Sequence, residues 1–399
     1  MNFDKVILKP GREKSLLRKD LWVYSGAVET PPSAAGNGDT VEIFSHGGNF
    51  LARAAWSPSS QIRLRVWSFD QTEDVDSTDF FRRRVRTALE LRRTAGILDA
   101  TDGYRLIAAE GDALPGAVVD IYGDFAVVQL ASAGADLRRS ELTAALREEL
   151  PNLRGIYERS DLAVRGKEGL PERTGTIWGE VPPSPVIFRE HKLMFAADPL
   201  HGHKTGFYFD QRENRRLAGN YASSRRVLNL FSYTGGFGVA CAAGGAEHVE
   251  NVDSSAPALE LAAANMELNH IPAERYTNTC DNVFELLRRY EKEGRRFDLI
   301  VLDPPKLADS QRNLMKGCRA YKELALRAFK LLEKNGLLFT FSCSGLVDAP
   351  LFAKLTSDGA LDAGADAAIL KRLAQDADHP VRLNHPETEY LKGLLVARV

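Results

Sequence analysis

The part of the chain after residue 200 alternates short runs of apolar, β-forming residues with longer helical stretches. Runs such as VLNLF, FDLIVLD and LLFTFSC lack the regular polar alternation of a half-exposed strand. Strands that are buried on both faces and separated by helices are typical of a doubly wound α/β domain with a mostly parallel sheet. Ligands of such domains bind beyond the carboxyl ends of the strands, so we expect the functional residues at that edge.

The composition is that of a globular protein, with 44% hydrophobic and 27% charged residues and a formal net charge of -2 over 399 residues. One domain usually spans about 100–200 residues, so this length predicts two or three domains. No window offers the roughly 20 apolar residues of a membrane-spanning helix, and the start of the sequence lacks the apolar core of a signal peptide. We therefore expect a cytoplasmic protein that makes no membrane contact.

Three domains are predicted from changes in sequence texture. Residues 1–72 alternate short β-like runs with turns, which favours a small barrel or sandwich. Residues 73–197 contain an amphipathic linker helix at 78–97 and then a β-rich α+β module. The helix places four apolar residues on one stripe: Phe81, Val85, Ala88 and Leu89. Residues 198–399 form the doubly wound domain.

Two basic segments lie in the first part of the chain. Residues 1–25 contain six Lys or Arg, including Lys14 and Arg18, against three acidic residues, and residues 81–93 contain six Arg against Glu90 alone. One such segment is commonly a solvated helix face. Two of them together favour a polyanionic partner such as RNA.

A glycine-rich turn follows the first strand of the last domain, in the sequence VLNLFSYTGGFG. Glycines here allow a tight turn and a close approach of the backbone to a ligand at a helix N-terminus. The second strand ends at Asp253, where a carboxylate can accept both hydroxyls of a ribose. The G-G-x-G spacing differs from the G-x-G-x-x-G fingerprint of dinucleotide enzymes, so S-adenosylmethionine is favoured over NAD.

Acidic residues also close the third and fourth strands. Asp281 follows the third strand, where it would lie beside an adenine amino group, and Asp303 closes the fourth strand in the sequence LDPPK. Pro304 and Pro305 remove two backbone donors and fix φ, so the loop holds the carboxylate in one place. A rigid acidic corner of this kind suits recognition of a planar base.

Four motifs, KTGFYFDQRENR, NLFSYTGGFG, LDPPK and FSCS, together with LRKDLWVYSGAVE near the start, carry a resemblance to a known family. The chain resembles the class I S-adenosylmethionine-dependent methyltransferases of the large-subunit ribosomal RNA methyltransferase I type, which make 5-methylcytosine. The resemblance covers nearly the whole chain. It implies an N-terminal PUA RNA-binding domain, a small β-rich module and a Rossmann-like catalytic domain, with large-subunit ribosomal RNA as partner. The sequence leaves a homodimer open.

The resemblance also implies roles for individual residues. The methionine pocket would be shaped by Asn229, Tyr233, Gly235 and Gly236. The rest of the cofactor would contact Asp253 at the ribose, Asp281 at the adenine, and Gln211 and Arg212 from the entry segment. Asp303 would hold the target base. Separately, the sequence offers Pro304, Pro305 and Lys306 of the same loop, and Lys14 and Arg18 of the first basic segment, as candidate substrate-binding residues.

Two positions depart from the family pattern. Asn229 stands where many methyltransferases have an acidic residue, so the contact with the ammonium group of the cofactor would be weaker or would come through a carbonyl. Pro305 stands where many RNA cytosine-5 methyltransferases have a second cysteine, so the residue that helps release the product is not identified.

Four cysteines are scattered through the last domain without paired spacing, at Cys241, Cys280, Cys318 and Cys343. This pattern indicates neither a disulfide framework nor a metal site. Cys343 ends the fifth strand, one strand spacing from Asp303, and the resemblance makes it the nucleophile that adds to carbon 6 of cytosine. Asp303, in its protonated form, would bind the N3 and amino edge of the base. Lys306 is the candidate to lower the pKa of the thiol.

Two other interpretations remain open at this point. An RNA amino-group methyltransferase needs no thiol and usually has an aromatic residue where Lys306 stands. A non-enzymatic ribosome-assembly factor would bind RNA and keep the cofactor fold only as a scaffold.

Overall fold

Two units make up the fold, and each is built from more than one stretch of the sequence. The computed structural model describes residues 3–399. The first unit comprises the chain up to Phe188 together with Asp198–Phe209 and Ala377–Thr388. The second unit comprises Arg189–Ala197, Asp210–Asp376 and Glu389–Val399. No helix within residues 3–399 combines the length and the apolar character that crossing a bilayer requires.

The first unit begins with a six-stranded sheet in the order β2-β6-β5-β4-β1-β3. Its strands are β1 (Asp4–Leu8), β2 (Trp22–Tyr24), β3 (Val28–Thr30), β4 (Thr40–Phe44), β5 (Phe50–Trp56) and β6 (Ile62–Ser68). The three β-like runs predicted between residues 40 and 68 are therefore confirmed as strands. One short helix, α1 (Lys14–Leu17), packs Leu16 into the apolar core of this sheet.

The predicted amphipathic helix is α2 (Thr78–Thr94), followed by a single turn, α3 (Ile97–Ala100). Ser77 caps α2, because its side chain accepts a hydrogen bond of 3.2 Å from the backbone N–H of Phe80. All four residues of the predicted apolar stripe are buried. Their burial confirms the periodicity on which the helix was predicted.

A five-stranded sheet with strands in the order β11-β10-β9-β8-β7 forms the rest of the first unit's core. Its strands are β7 (Gly103–Ala108), β8 (Ala117–Tyr122), β9 (Phe125–Leu130), β10 (Gly155–Ser160) and β11 (Arg173–Gly179). Its helices are α4 (Ala133–Leu137), α5 (Arg139–Glu149) and α6 (Val164–Lys167). Strands β12 (Val186–Glu190) and β13 (Leu193–Ala197) form a separate pair.

Segment Ala377–Thr388 completes the first unit from far along the chain. One carboxylate oxygen of Asp378 accepts the backbone N–H of Arg105 at 3.0 Å. The buried His385 lies with Nδ1 2.9 Å from Oδ1 of Asp20, and its ring packs edge-on against Trp22. These contacts fix the segment to the N-terminal part of the unit.

The second unit contains a seven-stranded sheet in the order β16-β15-β14-β17-β18-β20-β19. Its strands are β14 (Arg226–Leu230), β15 (His248–Asp253), β16 (Tyr276–Cys280), β17 (Phe297–Leu302), β18 (Leu332–Ser342), β19 (Ala367–Leu373) and β20 (Lys392–Arg398). Its helices are α7 (Arg212–Asn220), α8 (Gly236–Ala243), α9 (Ala256–Leu268), α10 (Val283–Glu293), α11 (Leu314–Leu331) and α12 (Ala349–Asp362). Together they confirm the doubly wound α/β fold.

Parallel pairing extends from β16 to β18, while β20 and β19 run antiparallel to their neighbours. The carboxyl ends of β14, β15, β17 and β18 therefore lie along one edge of the sheet. From β14 the sheet continues through β15 and β16 on one side and through β17 and β18 on the other. Ligands bind at the topological switch point where the strand order reverses in this way.

Candidate active site

The turn after β14 is tight and strained at several residues. Phe231, Tyr233 and Gly235 all have positive φ, at 57°, 47° and 76°. A Cβ on Gly235 would lie 2.9 Å from the Cβ of Ala262, so a larger residue would press on α9. Gly236 then begins α8. The turn thus presents backbone groups at a helix N-terminus, the arrangement predicted for a cofactor loop.

Asp253, at the end of β15, fixes this turn. Its Oδ2 accepts the backbone N–H of Tyr233 at 2.8 Å, and its Oδ1 accepts that of Ser255 at 2.9 Å. A carboxylate has about four acceptor sites, so it can still accept ribose hydroxyls. Nearby in the turn, Ser232 Oγ is buried and has no hydrogen-bond partner within the described residues. A polar ligand group would satisfy that hydroxyl, since buried polar groups are usually paired.

Three residues expected at the cofactor make contacts with other parts of the protein. The buried Asn229 donates from Nδ2 to Oδ1 of Asn251 at 2.9 Å, and Asn251 donates to Oδ1 of Asn278 at 3.0 Å. These amides form a polar ladder across β14, β15 and β16. Asp281 pairs with Arg289 at 2.7 Å, and this hydrogen bond holds the pKa of Asp281 below its ordinary value.

The third of these residues, Arg212, is buried at the start of α7. Its guanidinium forms an ion pair with Asp376. Neighbouring Gln211 is also buried, and its amide Nε2 donates to Oδ2 of Asp303 at 2.9 Å. The entry segment thus brings Gln211 to the acidic corner, while Arg212 joins a buried ion pair.

Asp303 is half-buried and directly follows β17. Of the loop after it, Pro304 is buried, whereas Pro305 and Lys306 are exposed. Lys306 therefore presents its charge to solvent.

Cys343 lies just after β18, which ends at Ser342, and its side chain is partly exposed. The register pairs Leu302 with Thr340, so Cys343 stands two residues further along than the position opposite Asp303. With a rise of about 3.3 Å per residue and a strand spacing of about 4.8 Å, the two Cα atoms are about 8 Å apart. This separation is larger than the single strand spacing expected from the sequence.

The serines on either side of Cys343 are buried and anchor it. Ser344 Oγ accepts the backbone N–H of Ala308 at 3.2 Å and shares a 3.0 Å hydrogen bond with the hydroxyl of Tyr321. Ala308 belongs to the loop that begins at Asp303. The loop that carries the thiol and the loop that carries the carboxylate are thus joined by hydrogen bonds.

The other three cysteines have different environments. Cys241 is fully buried in α8, and burial raises the pKa of its thiol to about 12. Cys318 is buried within α11. Cys280 is exposed, and its Sγ lies 3.6 Å from the carbonyl oxygen of Ser254.

The two basic segments differ in how their charges are used. Every arginine of the second segment lies near a carboxylate, in the pairs Arg82–Asp79, Arg83–Asp79, Arg84–Glu73, Arg86–Glu149, Arg92–Asp112 and Arg93–Glu90. In the first segment Lys14 and Arg18 are exposed. Within residues 3–399, no carboxylate lies within ion-pair distance of either of them.

Two family models match the chain in the order predicted. A model for a PUA-like domain matches residues 6–69, and a model for an S-adenosylmethionine-dependent methyltransferase matches residues 179–364. The chain is 51% identical over 391 residues to a protein of Aeromonas salmonicida named ribosomal RNA large subunit methyltransferase I, covering 98% of each chain. The chain belongs to the ribosomal RNA large subunit methyltransferase I family. Similarly named proteins of Tolumonas auensis and Salmonella arizonae are 51% and 47% identical, over 99% and 98% of this chain and 99% and 97% of theirs.

Solved structures agree with the fold. An S-adenosylmethionine-dependent methyltransferase from Streptococcus mutans superposes with a TM-score of 0.85, at 24% identity, over 99% of this chain and 100% of that one. A methyltransferase structure solved with SAH, the demethylated cofactor, gives a TM-score of 0.86 at the same identity over the same shares of the two chains.

The methyltransferase uses S-adenosylmethionine, and the edge of its sheet fits that cofactor. If the cofactor binds here, the turn at Gly235 would offer backbone groups, Asp253 a carboxylate acceptor and Ser232 a buried hydroxyl that has no partner among the described residues. Family membership also favours an enzyme over the non-enzymatic scaffold.

Sequence reasoning missed several residues around the thiol, in particular Tyr321 and Lys392. Tyrosines inside helices and lysines just before apolar strands are common in proteins, and neither belongs to a sequence motif that indicates a function. Only the apolar run GLLVA at 393–397 could have indicated that Lys392 begins a core strand.

Proposed function

We propose that this enzyme methylates carbon 5 of a cytosine in large-subunit ribosomal RNA, in the cytoplasm, through a covalent adduct on Cys343. The observation that carries the proposal is the placement of one partly exposed thiol at the carboxyl edge of the sheet, joined by hydrogen bonds to the loop of Asp303. The names of the close relatives support the RNA substrate. That the enzyme is a homodimer stays a prediction.

Carbon 5 of cytosine is a weak nucleophile, which is why a thiolate is needed. Addition of the Cys343 sulfur to carbon 6 forms a C–S bond and makes carbon 5 enamine-like. S-adenosylmethionine supplies the methyl group that carbon 5 then takes. Loss of the carbon 5 proton to water returns the electron pair to the ring, the C–S bond breaks, and the thiolate is regenerated.

Asp303 would hold the base during this reaction. Because its Oδ2 accepts the N–H of Gln211, a protonated Asp303 would carry its proton on Oδ1. That hydroxyl can donate to N3 of cytosine, and a carboxyl oxygen can accept from the amino group. Such contacts stabilise the negative charge that develops on the ring when sulfur adds.

We assign RNA capture to the N-terminal PUA-like domain, within residues 1–72. The module at 73–197 and the catalytic domain at 198–399 follow this domain in the chain. The exposed charges of Lys14 and Arg18 support this assignment, because charges without acidic partners remain available to phosphates. The arginines of α2 are mostly neutralised by neighbouring carboxylates, so they are weaker candidates than their number suggests.

The proposal is tested with RNA that carries 5-fluorocytosine at the target position. With fluorine in place of hydrogen, carbon 5 has no proton to lose after methylation, so the C–S bond cannot break. The covalent adduct therefore persists and lowers the mobility of the enzyme on a denaturing gel. We expect an adduct with the wild-type enzyme and with Cys280→Ala, which removes the other exposed thiol. Cys343→Ala should form none and should lose methyl transfer while it still binds the cofactor. Near-normal activity of Cys343→Ala would instead support an amino-group methyltransferase.

A further inference from the structure

Lys392 is a buried lysine next to the proposed nucleophile. It begins β20, and the antiparallel register places it opposite Ser342, the residue before Cys343. Only 8% of its surface is exposed. Its Nζ donates to the carbonyl oxygen of Ser344 at 2.8 Å and to that of Tyr390 at 2.7 Å. The ammonium group is therefore attached to the short segment that carries the thiol.

Burying an ammonium group is unfavourable unless nearby groups compensate for it. Burial accordingly lowers the pKa of Lys392, and the negative charge of Cys343 is the largest of the influences that raise it again. Glu389 and Asp348 act in the same direction, while the positive charge of Lys306 opposes them. A thiolate at Cys343 and the ammonium group of Lys392 would therefore stabilise each other.

We propose that Lys392 is a positioning residue of the methyl-transfer reaction, whose ammonium group holds Cys343 as a thiolate. This inference depends on the proposed role of Cys343 as nucleophile. Lys392 takes over from Lys306 the role of lowering the pKa of the thiol. The charge of Lys306 is exposed and screened by water and salt, whereas a buried charge is screened far less. The other titratable groups around the pair are Tyr321 on α11, Asp303 after β17, and Asp348, Glu389 and Lys306.

Tyr321 does not supply the charge that the thiolate needs. Burial raises the pKa of Tyr321, so its hydroxyl stays neutral near pH 7 and acts through its hydrogen bond to Ser344. Lys392 contacts the same residue through the Ser344 carbonyl. Ser344 is therefore held on its side-chain and backbone oxygens at once, which fixes the position of the neighbouring Cys343.

A cation beside the sulfur assists two steps. An ordinary cysteine thiol has a pKa near ~8.5, so only a small part is ionised at neutral pH, and a nearby positive charge increases that part. When the C–S bond breaks at the end of the reaction, the same charge stabilises the departing thiolate. Lys392 thereby contributes to product release, for which Pro305 offers no second thiol.

The test measures how the alkylation rate of Cys343 by iodoacetamide depends on pH, in the full-length enzyme without RNA, by mass spectrometry of the Cys343 peptide. Lys392→Met should slow alkylation about tenfold at pH 7 and move the midpoint to higher pH. Lys392→Arg should restore most of the rate, and Lys306→Met should stay within about twofold of wild type. An unchanged midpoint in Lys392→Met, or a larger shift in Lys306→Met, would overturn the inference.

Methyl transfer provides a second measurement on the two Lys392 variants. Lys392→Met should recover activity as pH rises toward 9, which a merely structural defect would not do. Because alkylation requires no RNA, the two hypotheses fail separately. If the alkylation midpoint shifts in Lys392→Met but no 5-fluorocytosine adduct forms, Cys343 is not the nucleophile. If the adduct forms but the midpoint does not shift, Lys392 does not hold the thiolate.

Should Lys392→Met fail to fold, Cys343→Ala gives the reciprocal measurement, since interacting groups change each other's pKa equally. With lysine labelled at Cε, the NMR titration midpoint of Lys392 should fall when the thiol is removed. An unchanged midpoint would overturn the proposal.

Discussion

Gln211 donates a hydrogen bond from Nε2 to Oδ2 of Asp303 across 2.9 Å. The orientation of the amide is itself determined, because Nδ2 of Asn214 donates to Oε1 of Gln211 at 2.7 Å. Asn214 also donates to the carbonyl oxygen of Ala374 at 3.0 Å. The carboxylate that is proposed to hold the base is thus positioned by a chain of two oriented amides, both at the start of α7.

Replacing Gln211 by leucine should therefore impair the reaction. Leaving a partly buried carboxyl oxygen without its hydrogen-bond donor costs about 1–3 kcal/mol, so we expect Gln211→Leu to lower single-turnover methyl transfer by about tenfold. Arg216→Met, on the exposed side of the same helix, should stay within about twofold of wild type. Equal rates for Gln211→Leu and wild type would show that Asp303 needs no such support.

Asp253→Ala should weaken S-adenosylmethionine binding at least tenfold, or about 1.4 kcal/mol, in isothermal titration calorimetry. The variant loses an acceptor for the ribose and also releases the Tyr233 backbone. Glu260→Ala removes an exposed carboxylate from α9 and should bind normally. Tight NAD binding by the wild-type enzyme would contradict the cofactor assignment.

Neutralising Lys14 and Arg18 together should weaken RNA binding and make the slope of log affinity against log salt shallower by roughly one to two, since each phosphate contact contributes about 0.9. The matched pair Arg83→Gln and Arg86→Gln removes two charges that face carboxylates, so it should change the slope little. Cofactor affinity should stay constant in both double variants. The reverse ranking of the slopes would move the RNA surface to α2.

Gly238→Ala should destabilise the second unit. A Cβ at this position would lie 2.1 Å from Oδ1 of Asn251, in the polar ladder across β14 to β16. Overpacking of this kind costs about 1–3 kcal/mol, measurable by urea denaturation of the full chain. Gly345→Ala, where a Cβ meets nothing within 4 Å, is the control and should change the unfolding free energy far less. Comparable losses in the two variants would argue against the ladder.

Much of the second unit could be predicted because its information is local. Most of these strands are short apolar runs, and an aspartate closes or directly follows β15, β16 and β17, so the order of β14 to β18 and the position of Asp253 could be predicted from the sequence. The neighbouring placement of β17 and β18 also followed from the predicted fold class, and their parallel pairing confirms it.

The contacts of individual side chains could not be predicted in the same way. Asn229 reaches toward Asn251 because β15 lies beside β14, and Arg212 pairs with a partner 164 residues away. The place of β20 between β18 and β19 is likewise a long-range choice that an apolar run does not specify. Lys392 enters the site only through that pairing, so its environment depends on the assembled sheet.

The segment Ala377–Thr388 belongs to the first unit, yet the ribosome synthesises it after most of the second. Domains usually fold as they emerge, the N-terminal one first. In this nascent chain, however, Asp20 and the Arg105 backbone cannot make these contacts until His385 and Asp378 have been synthesised. Premature termination before Ala377 would therefore leave the first unit without these contacts, and we expect such a truncated chain to be cleaved by proteases faster than the full-length one.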